Sequence, residues 1–248
     1  MVQQTTLMGF DYLDGYFQDL LVESPDTDTF MGKLAVSAAA TLSAPGLPVF
    51  CGLTLHRPKK GAAVAGSDSR ARLLDEVQNA FNDGPSLSAI ENRQCVVVPD
   101  VALERRWPRY ISAAARQGIH SILAVPLQME DGARVMLSLY SLRPRAFDGD
   151  DSARAEAFAV HASRAMRLAL RITGLQQARD DMAAAMQSRT VIDVATGVLM
   201  AQNSCGQDEA FQIMRTASNN ANVKLRELAG HITDALSSRQ GITTHFDA

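Results

Sequence analysis

The sequence of 248 residues predicts an α+β protein, with a first part of mixed structure and a helical second part. All nine prolines lie at or before Pro144. The first part also contains short β-branched and apolar runs that alternate with helical patterns. Because proline breaks helix interiors and marks turns and strand ends, we expect strands and helices up to about residue 150, and long helices afterwards.

The first part is expected to begin with a helix and two strands. An alanine-rich segment from 28 to 42 has the composition of a helix, and residues 48–57 (PVFCGLTLHR) have that of a strand. A second strand is expected over 61–66, after a turn at Pro58. A second helix is expected over 71–81. Residues 1–25 are treated as an N-terminal extension.

Three more strands are expected further along. They are a short β-branched run at 95–98 and two longer runs at 121–127 and 134–142. The Asp131-Gly132 pair between the two longer runs is a typical hairpin turn. Antiparallel strands with helices on their faces indicate a sensor-like α+β domain over residues 26–150.

A long helix is expected to link this domain to the C-terminal part, over residues 151–188. The segment has no proline and only one glycine, Gly174. Seven residues recur at spacings of three and four, a heptad seam interrupted by one arginine: Ala165, Leu168, Ile172, Leu175, Arg179, Met182 and Met186. We expect a signalling helix that pairs with its copy as a coiled coil in a homodimer. A single helix packed on its own sensor domain is the alternative.

Three short helices are expected over residues 189–240, followed by a flexible tail at 241–248. The inward face of the first is expected at Val191, Val194, Ala195, Val198 and Leu199. The second begins after Gly206, with Ala210, Ile213, Met214 and Ala217 facing inward. The third has its apolar face at Leu225, Leu228, Ala229, Ile232 and Leu236.

This C-terminal segment resembles an ANTAR domain, a three-helix RNA-binding module of bacterial transcription antitermination regulators. The resemblance rests on matched residues at matched separations: Arg189, Ile192, Ala195, Gly197, Leu199, Met200, Ala210, Phe211, Met214, Arg215, Ser218, Asn222, Lys224, Leu225 and Ala229. One position departs from the family, because Thr196 stands where the family usually has lysine.

The resemblance implies that this module binds the loops of RNA hairpins in nascent transcripts. Unstacked bases are commonly bound by aromatic or arginine stacking, with cations on the phosphates. The implied RNA-binding residues are Ala195, Thr196, Gly197, Phe211, Arg215, Ser218, Asn222 and Lys224. Because acidic residues slightly outnumber basic ones over 189–236, we expect weak non-specific binding and a need for two copies of the module or for specific loop contacts.

Several of these residues also have structural interpretations. Phe211 suits a helix interface, and Arg215 could pair with an acid such as Glu227. Asn222 could cap a helix N-terminus, and Gly197 could permit close helix packing. The sequence leaves Phe211 and Gly197 undecided.

The first part resembles a GAF domain, a PAS-like sensor fold with a central antiparallel sheet flanked by helices. The resemblance rests on the segments 82–87 (NDGPSL), 96–100 (VVVPD), 106–110 (RWPRY) and 118–127 (GIHSILAVPL). The segment is especially similar to the GAF domains that are fused to ANTAR modules in actinobacteria. The implied role is detection of a small molecule or a protein signal.

A ligand pocket in this domain is expected to use five residues: Asp100, Trp107, Arg109, Tyr110 and His120. The two aromatic residues supply apolar surface with a polar group, and the other three could fix a ligand. Structural alternatives exist here too. Trp107 could fill the core, Asp100 could cap a turn and His120 could stand at a strand entry.

Enzymatic function is not expected, and neither are catalytic residues, metal ligands or cofactors. The sequence has no GxxxxGK loop, HExxH pair, paired CxxC or GxSxG elbow. One catalytic rival is thiol redox chemistry, which would need Cys51 and Cys95 to meet. A second rival is a helix-turn-helix regulator that binds DNA, although no helix carries the clustered Arg, Asn and Gln of major-groove recognition.

Composition points to a cytoplasmic protein without a membrane partner. The net charge is −3, the N-terminal residues lack a basic segment followed by an apolar one, and no apolar run reaches the roughly 18 residues of a membrane helix. The three cysteines are odd in number and far apart, so a disulfide framework is not expected.

Overall fold

The computed structural model describes residues 11–58, 61–130, 132–147 and 149–239. The chain divides into two units, one up to Thr173 and one from Gly174 onwards. Each unit has its own hydrophobic core, and each is described by itself.

The strands of the first unit form one antiparallel sheet of five strands, as the sequence predicts. They are β1 (Val49–His56), β2 (Ala63–Gly66), β3 (Val96–Val98), β4 (Ser121–Leu127) and β5 (Arg134–Ser141). Their order across the sheet is β2-β1-β5-β4-β3. The long pairing of β4 with β5 confirms the hairpin predicted around Asp131-Gly132, of which Asp131 itself lies outside the described residues.

Among the described residues, six helices lie wholly or partly in the first unit. They are α1 (Asp11–Val22), α2 (Thr27–Leu42), α3 (Ser69–Phe81), α4 (Pro85–Asn92), α5 (Pro108–Arg116) and α6 (Asp150–Asn203), the last of which continues into the second unit. Two short helices, α4 and α5, were not among the predicted elements. Each begins with a proline, whose fixed φ and missing N–H suit the first turn of a helix.

One face of the sheet is apolar and is covered by α1, α2 and the beginning of α6. Alternate strand residues such as Leu53, Leu137 and Leu123 point into this core because successive side chains of a strand face opposite sides. Phe17 of α1 and Phe158 of α6 meet there edge to face, with ring centroids 5.5 Å apart. The segment expected to be an N-terminal extension therefore contributes a helix to this core.

The opposite face of the sheet is covered by α3, α4 and α5. Its core contains Leu74, Trp107, Tyr110 and Tyr140, all of them buried. Polar side chains lie among these aromatic and aliphatic groups, and they form the network described below.

The second unit is a bundle of three helices, the end of α6, α7 (Gln207–Ala221) and α8 (Leu225–Arg239). Small or flexible residues, Ala195, Met214 and Ala229, fill its centre. Six partly buried residues surround them: Val191, Ile192, Leu199, Leu225, Leu228 and Ile232. The helical second part and its three short helices are thus as the sequence predicts.

The predicted inward faces need two corrections. Val194 of α6 and Ile213 of α7 are exposed, whereas Ile192 packs against the core. The buried stripe of α7 runs through Ala210, Met214 and Ser218, so Ala217 points outward. Residues four apart lie on one side of a helix, and this stripe follows that spacing strictly. The side chain of Leu236 lies outside the described residues.

The helix α6 is continuous through the boundary expected near residue 189 between the linking helix and the C-terminal module. Every residue from 174 to 187 is exposed. Among the described residues, no helix combines the length and the apolar character needed to span a membrane.

We predict that Phe17→Ala lowers the free energy of unfolding of the first unit by about 3–5 kcal/mol, because a fully buried ring is lost and a cavity remains. Denaturant unfolding followed by fluorescence of Trp107, the single tryptophan, measures this unit. The matched control is Tyr16→Ala, since Tyr16 is 42% exposed and should cost about 1 kcal/mol or less. Equal effects of the two substitutions would show that α1 does not contribute to the core.

Candidate functional site

An exposed stripe on α7 carries two of the residues implied in RNA binding. Phe211 and Arg215 are four residues apart, so both side chains lie on the same side of the helix, and both are exposed. Lys224, just before α8, is exposed as well. In the described part of the chain, neither Arg215 nor Lys224 has an ion pair or a side-chain hydrogen bond. The pairing of Arg215 with Glu227 is therefore not formed, and both cations are available to a phosphate.

Three of the implied residues are buried and serve the bundle itself. Ala195 is at its centre. Thr196 is 4% exposed, and its hydroxyl donates a hydrogen bond of 2.7 Å to the carbonyl of Ile192. Ser218 is 7% exposed, and its hydroxyl donates a hydrogen bond of 2.6 Å to the carbonyl of Val223, which holds the turn between α7 and α8. Their side chains do not face solvent, so the stripe expected to include them is smaller than the sequence suggests.

Asn222 and Gly197 lie at the surface. Asn222 ends α7 in a left-handed conformation with φ of +52°, and its N–H donates to the carbonyls of Ser218 and Asn219. It is thus a C-terminal cap of α7, and the alternative of an N-terminal cap is wrong. A Cβ added to Gly197 would have no atom within 4 Å, so close helix packing is not the reason for this glycine.

The five residues expected to form the sensor pocket do not come together around a cavity. Tyr110 and Trp107 are buried in the core, and the guanidinium of Arg106 lies 4.4 Å from the centroid of the Trp107 ring. Arg109 is exposed, and its guanidinium stacks over Phe81 at 4.0 Å.

The other two members are placed by loop geometry. A carboxylate oxygen of Asp100 accepts a hydrogen bond of 2.9 Å from the N–H of Ala102 and so closes a turn. The side chain of His120 is exposed, and its backbone joins the loop at Val101 to the end of β5 at Ser141. Neither of the two cavities described below is lined by any of the five.

The polar centre of the sensor unit is a buried network that sequence reasoning missed. The carboxylate of Asp75 accepts hydrogen bonds from the hydroxyls of Tyr140 at 2.5 Å and Thr54 at 2.9 Å. Ser138 also bonds to this carboxylate. Tyr110 donates its hydroxyl to that of Tyr140 at 3.2 Å, so its polar group is already used.

The network continues to α4 through Gln78 and Ser86. The amide oxygen of Gln78 accepts the N–H of Ser86 at 2.9 Å, and its amide nitrogen donates to the hydroxyl of Ser86 at 3.1 Å. The hydroxyls of Ser86 and Ser138 are 2.8 Å apart. A small cavity of about 10 Å³, enough for roughly one water molecule, adjoins Thr54, Asp75 and Gln78. Side chains of the protein thus fill the space between this face of the sheet and α3 and α4.

Two glycines are required by this network. A Cβ added to Gly52 would lie 2.5 Å from a carboxylate oxygen of Asp75. A Cβ added to Gly84 would collide with the side-chain oxygen of Gln78, and Gly84 has a φ of +147°, which other residues rarely adopt. The sequence offered one signal for this network, a glycine within a strand, Gly52, and two polar residues on one side of α3, Asp75 and Gln78. In the sheet, Gly52 lies opposite Ser138 of β5.

Burial raises the pKa of Asp75 from its usual value near 3.8 to about 6, although hydrogen bonds from Tyr140, Thr54 and Ser138 act in the opposite direction. No cation pairs with this carboxylate in the part of the chain that the structure describes. The negative charge in turn adds to the effect of burial on Tyr140 and Cys51, whose pKa values are both raised.

A much larger groove, of about 1360 Å³, adjoins this small cavity at His56 and Ile90, which line both. Its walls are formed by the end of β1, the beginning of β5, the end of β4, the end of α4 and the beginning of α6. Arg57 lines this groove, and its Nε is buried without a hydrogen-bond partner.

The cysteines do not form a redox pair. Cys51 is on β1 and Cys95 immediately precedes β3, and β5 and β4 lie between those strands. Three strand spacings amount to roughly 14 Å, twice the Cα separation that a disulfide tolerates. Burial raises the pKa of Cys51, and burial with a hydrogen bond to Glu156 raises that of Cys95 to about 12, so neither is an activated thiolate. Within the described ranges, no group of three or more His, Cys, Asp or Glu side chains could hold a metal ion.

Two family models match the chain. The model of the GAF domain matches residues 31–167, more than half of the chain, and that of the ANTAR domain matches residues 180–232. No curated protein matches the sequence.

Solved structures are similar to the chain at low identity. A LuxR family transcription factor from Burkholderia cenocepacia, CepR2, which depends on N-acylhomoserine lactone, is 19% identical with a TM-score of 0.48, over 64% of this chain and 93% of its own. The GAF domain of a phosphoenolpyruvate-protein phosphotransferase from Coxiella burnetii is 15% identical with a TM-score of 0.48, over 69% of this chain and 98% of its own.

We predict that the sensor unit loses stability as the pH rises through about 6. The folded-state pKa of Asp75 lies above its usual value, so the protonated carboxyl stabilises the fold at acid pH, and this contribution disappears as the group ionises. The loss should be on the order of 1–3 kcal/mol between pH 4 and pH 8.

Unfolding followed by Trp107 fluorescence across this pH range measures the effect. Asp75→Asn should flatten the pH dependence between about pH 4 and pH 6, whatever its absolute stability, because the amide does not ionise. The control is Asp83→Asn, which neutralises an exposed carboxyl and should leave the profile as it is. A profile that is the same in wild type and Asp75→Asn would contradict the prediction.

Proposed function

Because the chain belongs to the GAF domain family and carries a C-terminal ANTAR domain, we propose that it is a signal-responsive, RNA-binding regulator that acts by transcription antitermination. The ANTAR domain is an RNA-binding antiterminator domain, and the GAF domain is a sensor domain. In the proposed mechanism, the C-terminal bundle holds the loop of an RNA hairpin so that a terminator cannot form.

The observation that carries this proposal is the pair of exposed, unpaired cations beside an exposed aromatic ring. Arg215 and Phe211 share one side of α7, and Lys224 follows the turn held by Ser218. An aromatic face and a guanidinium both stack on unpaired bases, and an ammonium group contacts the phosphates. Phe211 is 36% exposed, which leaves part of its ring free for such a contact. Asn222 and Gly197 lie at the surface and complete the proposed interface.

The buried members of the motif act indirectly. Ser218 holds the turn between α7 and α8 and so fixes the position of Lys224 relative to α7. Ala195 lies at the centre of the bundle, where its small side chain lets the helices pack closely. Thr196 uses its hydroxyl within α6, so it does not supply the phosphate contact that the family's usual lysine would. We therefore infer that each module binds RNA weakly and that two copies act together.

The homodimer is proposed to form through α6. Five apolar seam residues are exposed: Leu168, Ile172, Leu175, Met182 and Met186. Their spacing of three and four residues is that of a helix that pairs with another helix. Arg179, the polar residue of the seam, forms an ion pair with Asp180 at 2.8 Å. This pair directs the guanidinium toward the neighbouring residue and away from the seam. Such a seam would pair less tightly than an all-apolar one and could respond to a signal from the sensor unit.

Two other functions receive less support. A thiol redox enzyme would need Cys51 and Cys95 to meet, and the sheet keeps them apart. A DNA-binding regulator would need more basic residues on one helix than Lys224 and Arg226 supply. We propose that the protein is not an enzyme and that it acts in the cytoplasm, where transcripts are made.

We predict that Arg215→Ala and Lys224→Ala each weaken binding to a tandem RNA hairpin about 5- to 20-fold, because each removes an exposed cation without opening the core. Binding is measured by fluorescence anisotropy at one stated salt concentration, with circular dichroism to show that the bundle stays folded. Arg116→Ala removes an exposed cation from the sensor unit and is the matched control.

Two results would argue against this proposal. Unchanged affinity in both variants, with RNA bound by the wild type, would remove Arg215 and Lys224 from the interface. Tighter binding of duplex DNA than of the RNA hairpin, at the same salt concentration, would favour the DNA-binding alternative.

We predict that Leu175→Glu together with Met182→Glu converts a dimer to a monomer, because like charges would face each other across the seam. Analytical ultracentrifugation measures the mass. Gln177→Glu adds a charge on the side of the helix that faces away from the seam and should leave the dimer intact. If the wild type is a monomer at micromolar concentration, pairing through α6 is not the resting state.

A further inference from the structure

The large groove of the sensor unit adjoins the buried polar network, because His56 and Ile90 line both the groove and the small cavity of the network. Side chains of the network fill the space between the sheet and α3 and α4, with room for roughly one water molecule. The groove lies instead beside the end of β4, where β3 no longer covers the sheet, because β3 pairs with β4 only as far as Ala124. Any ligand larger than water therefore finds more room in the groove.

One end of the groove is cationic. Arg134 begins β5 directly opposite His56, the last residue of β1, and Arg57 follows. Arg134 is exposed, and neither it nor Arg57 has an ion pair in the part of the chain that the structure describes. The Nε of Arg57 is buried without an acceptor, and a buried donor of this kind costs free energy unless it is paired. An acceptor at this position would satisfy it.

Among the described residues at this end, the two guanidinium groups supply the positive charge. Burial and the charge of Arg134 lower the pKa of His56, so its imidazole is neutral at neutral pH. The carboxylates that line the groove, Glu91 and Glu156, belong to α4 and α6 rather than to the strand ends. Glu156 is also engaged by the thiol of Cys95.

The rest of the groove offers accessible apolar surface. Val160 of α6 is 47% exposed, and Pro126 and Met129 are partly exposed on the opposite side, at the end of β4. Val125 and Leu127 lie behind them in the core. An apolar chain laid along this surface would bury part of Val160 and gain hydrophobic free energy.

We propose that this groove binds a small organic anion with an apolar chain, its charged head group on Arg57 and Arg134 and its chain along Val160, Pro126 and Met129. This inference rests on the proposed sensing function and names its ligand class. Because Val160 belongs to the helix that carries the heptad seam, such a ligand would contact the signalling helix directly.

The experiment compares four probes that share one chain length: octanoate, octyl phosphate, octylamine and octanol. Isothermal titration calorimetry with the full chain gives their affinities, and thermal unfolding gives their effect on Tm. We expect one or both anions to bind at least 10-fold more tightly than octanol and octylamine. The carboxylate and the phosphate distinguish the two sources of the anionic head group.

Variants test the two ends of the groove separately. Arg57→Gln and Arg134→Gln should each weaken anion binding at least 5-fold, and Val160→Trp should block the chain. Arg116→Gln removes a distant exposed cation and should have no effect. If Arg57→Gln does not fold, the effect of Arg134→Gln on anion binding decides the test, because Arg134 is exposed.

Three outcomes would overturn the proposal: no binding of either anion, equal or tighter binding of octylamine, or anion binding that Arg134→Gln and Val160→Trp leave unchanged. RNA affinity measured without any probe tests the regulatory function by itself. Loss of anion binding with intact RNA binding would thus reject the groove alone.

Discussion

The sensor unit depends on keeping one carboxylate, that of Asp75, in a core without a cation. A buried charge of this kind is costly unless hydrogen bonds surround it, and here three hydroxyl groups do so from two strands. Their positions fix the register of β1 against β5 and require a glycine, Gly52, where the carboxylate approaches the sheet. Because hydrogen-bonding geometry is stricter than apolar packing, this network ties α3 and α4 to the sheet in one arrangement.

Local patterns in the sequence predicted most of the fold. Apolar and β-branched runs bounded by turn residues identified the long strands, and the absence of proline after Pro144 identified the helical second part. The predictions failed where contacts with other elements determine which side chains are buried or hydrogen-bonded. The inward face of α7 is displaced because the bundle selects the stripe that contains Ser218. Tyr110 looked like a ligand contact because its hydroxyl needs a partner, yet Tyr140, 30 residues away in the chain, supplies that partner.

For the candidate sites, too, features set by neighbouring residues were predicted, and features set by residues far apart in the chain were not. The motif of the C-terminal module identified its exposed cations, Arg215 and Lys224, since local helix geometry places them at the surface. The groove beside α6 was not predicted. It is formed by strand ends and a helix that are far apart in sequence, and the buried, unpaired Nε of Arg57 has no local signature. The spacing of residues within one segment predicts which of them share one side of a helix. A groove between strand ends and a helix can be predicted only from the topology of the whole unit.

The run of exposed residues from 174 to 187 in α6 has a consequence for how the protein would behave in a cell. An isolated helix gains little stability in water without a packed face, and this stretch is exposed in the part of the chain that the structure describes. Under the proposed pairing, its stability comes from a second copy and so follows mass action. The number of molecules per cell would then be a regulatory input in its own right. A small change in expression could alter the response to the signal without any change in the signal itself.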